Sequence, residues 1–256
     1  MIKVKKQEEQ KYYELFLSFK YFKKYIEFSL SDNEIEIFVD NITNPTKALL
    51  VSSPAYLIYA KDESIDIKEV LELIKPNGYL IPNLTELKNQ IKEYFTEVES
   101  YERTLFDNSN LEINYLETLK KELPSNLSIV KINESHLKEG IIYDDVISRF
   151  FRKRTFLKNG FGYALVDELN IPRGFCLTNF PKNDCDVELY FRVGYDNDER
   201  YRHYGYGIQL CIYFIIYCIN NGYHPIWDSA NQISQHIANK LGFIEQDKWY
   251  MYKLIK

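Results

Sequence analysis

The residues with the clearest chemistry are Arg200-Tyr201-Arg202-His203-Tyr204-Gly205-Tyr206-Gly207-Ile208, set between a β-rich run and a long apolar run of helical spacing. Gly205 and Gly207 remove Cβ atoms where a strand hands over to a helix. Successive backbone N–H groups can then converge on one point at the positive end of the helix dipole. Such a point suits a pyrophosphate, and Arg202 adds a local positive charge to a chain that is acidic overall. A Gly pair is also ordinary turn chemistry, so its placement decides its meaning. Further on stand Trp227-Asp228-Ser229-Ala230-Asn231 with Ser234, and then Lys240-Leu241-Gly242-Phe243.

The elements around these residues follow from periodicity. In the second half, Leu127 to Ile132 predicts a strand, and Gly162 to Val166, Gly174 to Phe180 and Val187 to Tyr195 predict three more with short turn sequences between them, an antiparallel meander. A helix from Tyr204 to Asn221 follows, then a strand from His224 to Asp228, a helix from Asn231 to Lys240 and a closing strand from Lys248 to Leu254. In the first half, Glu34 to Val39 alternates as a strand and Lys47 to Tyr59 reads as a strand pair around Ser52-Ser53-Pro54. Helical spacing runs from Ile65 to Ile74 and from Leu84 to Tyr94. Between Glu97 and Asn110 the sequence turns polar, and the domain joint is placed there, giving halves 1–110 and 111–256. Ser148 to Arg154 is the one dense basic run, expected as the solvated face of an amphipathic helix.

Composition narrows the function classes. The 256 residues carry 32 Lys and Arg against 37 Asp and Glu, a net charge of −5, so no global basic field exists to hold a nucleic acid backbone. The apolar stretch Ile208 to Ile219 is shorter than the ~20 residues a bilayer needs. No membrane span is expected, and the charged start Lys3 to Glu9 leads us to expect a cytoplasmic protein. Cys176, Cys185, Cys211 and Cys218 show no Cys-x-x-Cys spacing, and His136, His203, His224 and His236 are scattered, so no metal site is expected.

The glycine loop, the Asn-x-x-Ser of Asn231 and Ser234, and Leu241-Gly242-Phe243 occur in the order of the acetyl-CoA-binding half of the GNAT acetyltransferase superfamily, which the chain resembles. Within it the chain is similar to the zwittermicin A resistance type, in which a degenerate amino-terminal half precedes a complete one. Phe38 to Pro45 resembles the front portion, and Leu157 to Gly162 the segment before the meander. The resemblance implies an α/β (α+β) fold of tandem GNAT-like halves, each a mixed, mainly antiparallel sheet flanked by helices. It implies an acetyl-CoA-dependent N-acetyltransferase acting on a primary amine of a small molecule, and a homodimer is among the assemblies it allows. The first half has no Gly-x-Gly counterpart and is expected to lack a cofactor site.

By the same resemblance, the diphosphate of acetyl-CoA lies on the amides of Arg202, His203, Tyr204, Gly205, Tyr206 and Gly207. The pantetheine arm lies where the strand ending near Val193 splays from the strand His224 to Asp228, with an amide near Val193 serving the developing oxyanion. Asn231 and Ser234 reach the pantetheine or the thioester region, or else the segment is ordinary helix capping with Asp228 or Ser229 as the N-cap. Glu188 is the first choice of general base, with Asp186 two residues away on the same face. Two departures from the family pattern stand out. The spacing from Val193 to Arg202 is longer, with Gly194-Tyr195-Asp196-Asn197 as the extra turn. Ala238 stands where many members carry the Tyr that protonates the leaving thiolate, leaving Tyr250 or Tyr252, and Tyr206 or Tyr213, as substitute acids. The rival readings are an acyl-CoA-binding regulatory protein and an interaction scaffold.

Overall fold

The computed structural model describes residues 1–31, 35–137, 142–143, 153–182, 184–194, 199–201 and 203–255. Arg202, most of the basic run and the turn 195–198 lie outside the described residues. The chain forms two compact units: Met1–Leu105 together with Asp247–Lys256, and Phe106–Gln246. Each is a mixed α/β layer structure with a mainly antiparallel sheet flanked by helices.

In the first unit the strand order is Ile2–Lys3, Glu36–Val39, Lys47–Ser52, Ala55–Ala60, Tyr79–Pro82, the end of Ile244–Leu254, and Val98–Asp107. Only Ala55–Ala60 and Tyr79–Pro82 run parallel among the pairs with a defined register. The run Ala48-Leu49-Leu50 is apolar without alternation because both faces of its strand are covered. Ala48, Leu50 and Leu57 pack with Phe16, Ile26 and Trp249, whereas Leu49 and Ile58 pack with Val70, Ile91 and Tyr252.

In the second unit the strands lie in the order His224–Ser229, Asp186–Val193, Pro172–Thr178, Gly162–Asp167, Leu127–Lys131. The last four form the expected antiparallel meander, and the first joins it in parallel after the helix Tyr206–Asn220. Alternation sorts the side chains. Leu165, Cys176, Val187 and Leu189 face the core built on Leu210, Phe214 and Ile215, while Ala164, Val166, Phe175 and Leu177 face Phe156 and Leu137. The cysteines are free thiols, three of them buried, and burial pushes the thiols of Cys176 and Cys218 up, away from nucleophilic use. Among the described residues, no helix is long and apolar enough to cross a membrane.

Two expectations differ from what is observed. The stretch from Glu97 to Asn110, expected as a polar joint, is the ten-residue strand Val98–Asp107. Its charges are paired rather than loop-forming: Glu102 accepts from Lys248 and Tyr250, and Arg103 lies over the rings of Phe22 and Trp249. The closing strand, assigned by sequence to the second half, is Ile244–Leu254, and from Asp247 onward it belongs to the first unit.

Asp247 anchors that strand. Its carboxylate accepts from Lys20 Nζ, Tyr21 Oη and the Lys248 N–H, and these bonds, that of Lys20 foremost, pull its pKa from the ordinary 3.8 to about 2. A depressed carboxylate contributes stability above its unfolded pKa and loses it as pH falls through the folded one. With the side chain one-third exposed, solvent screening holds the effect to about 1 kcal/mol or less. The urea midpoint of the first unit should therefore fall as pH drops from near 3.8 to about 2, and Asp247→Asn should flatten that part of the profile. An unchanged slope in the variant would remove the assignment.

Candidate functional site

The site begins with a ladder that stops. Asp186–Val193 pairs in parallel with His224–Ser229 only at Asp186↔His224, Val187↔Pro225 and Glu188↔Ile226. On its other edge the same strand stays paired with Pro172–Thr178 as far as Val193↔Gly174. The direction of the peptide groups follows from two bonds on that edge. Asn179 N–H donates to the Glu188 carbonyl at 2.6 Å and Gly194 N–H to the Arg173 carbonyl at 2.8 Å. Bonding and non-bonding pairs alternate in an antiparallel ladder, so the N–H and C=O of Phe191 and Val193 point to the opposite edge. There the pairing with the parallel partner has already ended. The V expected between these strands is present, edged by backbone groups that no described strand completes.

A helix start stands against this edge. Gly205 caps Tyr206–Asn220 with φ +81°, and His203 also lies at positive φ, +67°. The first intrahelical bond runs from Gln209 N–H to the Gly205 carbonyl at 3.2 Å, and no side chain bonds at the cap. The amides of Tyr206, Gly207 and Ile208 therefore precede the helical ladder and face outward along the dipole. A Cβ on Gly207 would lie 3.3 Å from the Phe191 ring and 3.6 Å from Val193, so the missing side chain is what lets the helix start approach the strand end. A Cβ on Gly205 would meet nothing within 4 Å, and its requirement is the left-handed backbone alone. Tyr204 is 66% exposed with its ring stacked on Tyr206, which is buried. The gathered set from the sequence is thus Val193, His203, Tyr204, Gly205, Tyr206 and Gly207, with Arg202 outside the described residues.

Asn231 and Ser234 have local work. Asn231 is the N-cap of the helix Gln232–Leu241, accepting from Ser234 N–H at 2.9 Å. Ser234 Oγ accepts from Trp227 Nε1 at 3.0 Å. That bond fixes the Trp227 ring, which sits 5.5 Å from Phe191 and 5.3 Å from Phe243.

Glu188 lies on the sheet face opposite the long helix, since its neighbours Val187 and Leu189 pack toward that helix. It is 7% exposed, and its Oε1 accepts from Asn179 Nδ2. Asp186 is paired with His224 at 3.1 Å at the outer end of the strand. Tyr250 belongs to the first unit, where its hydroxyl donates to Glu102 at 2.7 Å and that bond raises its pKa. It is not among the residues the second unit brings together. Tyr206 is the candidate acid that is, and burial raises its pKa too. Ala238 is fully buried. Asn179 and Phe191 carry no signal in the sequence; their place is set by register.

The corresponding parallel pair of the first unit is closed. Ala55↔Tyr79 through Ile58↔Pro82 pair without a break, and Asn83 N–H extends the ladder to the Ile58 carbonyl at 2.9 Å. Beyond it the Asn83 side chain accepts from Ala60 N–H at 2.9 Å and donates to the Ala60 carbonyl at 2.8 Å. A side-chain amide there occupies the positions of the next peptide.

The sequence pattern of the GNAT acetyltransferase family matches residues 15–252. Among solved structures, the chain is similar to a GCN5-related N-acetyltransferase-like protein from Streptococcus suis, with 18% identity over 97% of this chain and 98% of that one and a TM-score of 0.72. It is similar to a GNAT-family acetyltransferase from Colwellia psychrerythraea, at 12% identity, 99% and 98% coverage and a TM-score of 0.57. A tandem GNAT protein from the clavulanic acid biosynthesis pathway matches at 11% identity, 86% and 82% coverage and a TM-score of 0.55. At these identities the likeness concerns fold. No curated protein matches. With nearly its whole length covered by the family pattern, and with the splayed strands and glycine-capped helix in place, the chain belongs to the GNAT acetyltransferase family.

Proposed function

We propose that the second unit transfers the acetyl group of acetyl-CoA to a primary amine of a small molecule, in a cytoplasmic protein organised like the zwittermicin A resistance type. The observation that carries this is the parallel ladder ending at Glu188↔Ile226 beside a helix capped by a left-handed glycine. Backbone groups left open in a cleft, next to an anion-accepting helix start, fit an extended amide-containing arm that ends in a diphosphate. Acetyl-CoA, when bound, supplies a thioester that an amine can attack.

The chain's own residues supply placement and proton handling. The peptide groups of Phe191 and Val193 would hold the pantetheine arm, with the Val193 amide serving the oxyanion. The amides of His203 to Gly207, with Arg202, would hold the diphosphate. Asn231 and Ser234 support the cleft by fixing the following helix and Trp227. Glu188, buried on the face away from the long helix, accepts the proton of the substrate ammonium. A homodimer is compatible with this arrangement. One observation favours a second reading, an acyl-CoA-binding protein without turnover: Ala238 has no proton to give, and Tyr250 is engaged with Glu102 in the first unit.

Calorimetry should find one acetyl-CoA per chain, because the first unit's strand pair is already filled by Asn83. Gly205→Val should weaken binding about tenfold, since a left-handed backbone costs a residue with a side chain about 1–2 kcal/mol. Absence of acetyl-CoA binding at millimolar concentration would remove the proposal. A thiol-release screen over amine classes tests transfer itself. Glu188→Gln should lower its rate about 10²–10⁴-fold with acetyl-CoA affinity retained. Binding without thiol release for every amine would favour the second reading.

A further inference from the structure

Asn179 stands directly across the antiparallel ladder from Glu188 and holds it twice. Its N–H donates to the Glu188 carbonyl at 2.6 Å, and its Nδ2 donates to Glu188 Oε1 at 2.5 Å. Its remaining polar atom, Oδ1, is buried and has no hydrogen-bond partner. The orientation of the amide is dictated by charge. Turned over, Oδ1 would face the carboxylate, acceptor against acceptor, so the unmatched oxygen must point away from Glu188 while staying beside it. A buried carbonyl without a donor is unfavourable, and such atoms in native structures call for a physical reason.

We infer that Asn179 is the positioning residue for Glu188 and that its Oδ1 is a second acceptor for the substrate nitrogen. This rests on Glu188 being the base. A primary ammonium carries three N–H bonds. One breaks, its electron pair staying on nitrogen as the attacking lone pair while the proton passes to the Glu188 carboxylate. A second donates to Asn179 Oδ1 and fixes the nitrogen while the lone pair develops. Two adjacent acceptors match a nitrogen that carries at least two N–H bonds when protonated, in preference to a hydroxyl or a thiol, which offers one donor.

Two measurements on the full chain test this. In thiol-release kinetics at saturating acetyl-CoA, benzylamine and ethanolamine would be compared with benzyl alcohol and ethylene glycol. The expected result is at least about tenfold higher kcat/KM for the amines than for the alcohols. Asn179→Ala should raise the amine KM and lower kcat, about tenfold in kcat/KM, with acetyl-CoA affinity by calorimetry unchanged. Equal use of the alcohols, or a wild-type kcat/KM in Asn179→Ala, would overturn it. The second measurement needs no turnover. In proton–nitrogen NMR spectra the Asn179 side-chain amide should carry one proton well downfield of the other asparagines, lost in Asn179→Asp and moved upfield in Glu188→Gln. An ordinary position in the wild-type chain would overturn the positioning role whatever the kinetics. Acetyl-CoA binding with that downfield proton present, but with no amine consumed, would instead count against the acetyltransferase reading and against Oδ1 as an acceptor for substrate.

Discussion

Main-chain hydrogen bonding must be completed by something, and between Asp186–Val193 and His224–Ser229 the neighbouring strand completes it only as far as Glu188 and Ile226. Everything distinctive in the second unit is arranged around that interruption. On one side the meander continues to hold the strand straight through Val193, so the peptide groups of Phe191 and Val193 keep a fixed direction. They are presented by a rigid ladder rather than a loop, which is the condition for a backbone edge to act as a binding surface. The first unit shows the alternative outcome of the same topology. There the parallel pair is continued by Asn83, whose side chain imitates a peptide toward Ala60. One pair of strands offers its edge and the other has already satisfied it.

Beside the interruption the aromatic side chains of both strands pack together: Phe191 meets Trp227, Trp227 meets Phe243, and the Trp227 ring is tied to Ser234. Gly207 lies close to Phe191, so the helix start and this aromatic cluster are one packed assembly. Asn231 and Ser234 serve the site through this packing, as a cap and as a hydrogen-bond anchor. Residues that resemble ligand contacts by pattern can thus matter by fixing the geometry of the contacts themselves.

Much of this was legible in the residue order where the determinants are local. The meander, the helix after the glycines and the following strand, helix and strand announce themselves by alternation, helical spacing and turn residues, with ends shifted by one or two positions except that the closing strand starts at Ile244, four residues before Lys248. Gly205 marks the helix start by its left-handed backbone, and Gly207 by the closeness of Phe191 to where its side chain would stand. Other features depend on partners distant in sequence. Val98–Asp107 looks polar because Glu102 and Arg103 answer to Lys248, Tyr250, Phe22 and Trp249, more than a hundred residues later for three of the four. Nothing in the residue order singles out Asn83, and Asn179 falls within the expected strand Gly174 to Phe180. Their roles appear only when register sets them opposite Ala60 and Glu188.

The first unit is assembled from two segments of chain, Met1–Leu105 and Asp247–Lys256, with the whole second unit threaded between them. The returning strand brings Trp249, Tyr252 and Leu254, all nearly inaccessible, into the first unit's cores. During synthesis those cores stay open until every residue of the second unit has emerged from the ribosome. The half that is translated first is therefore the half that matures last, and its apolar interior waits exposed while the later half condenses.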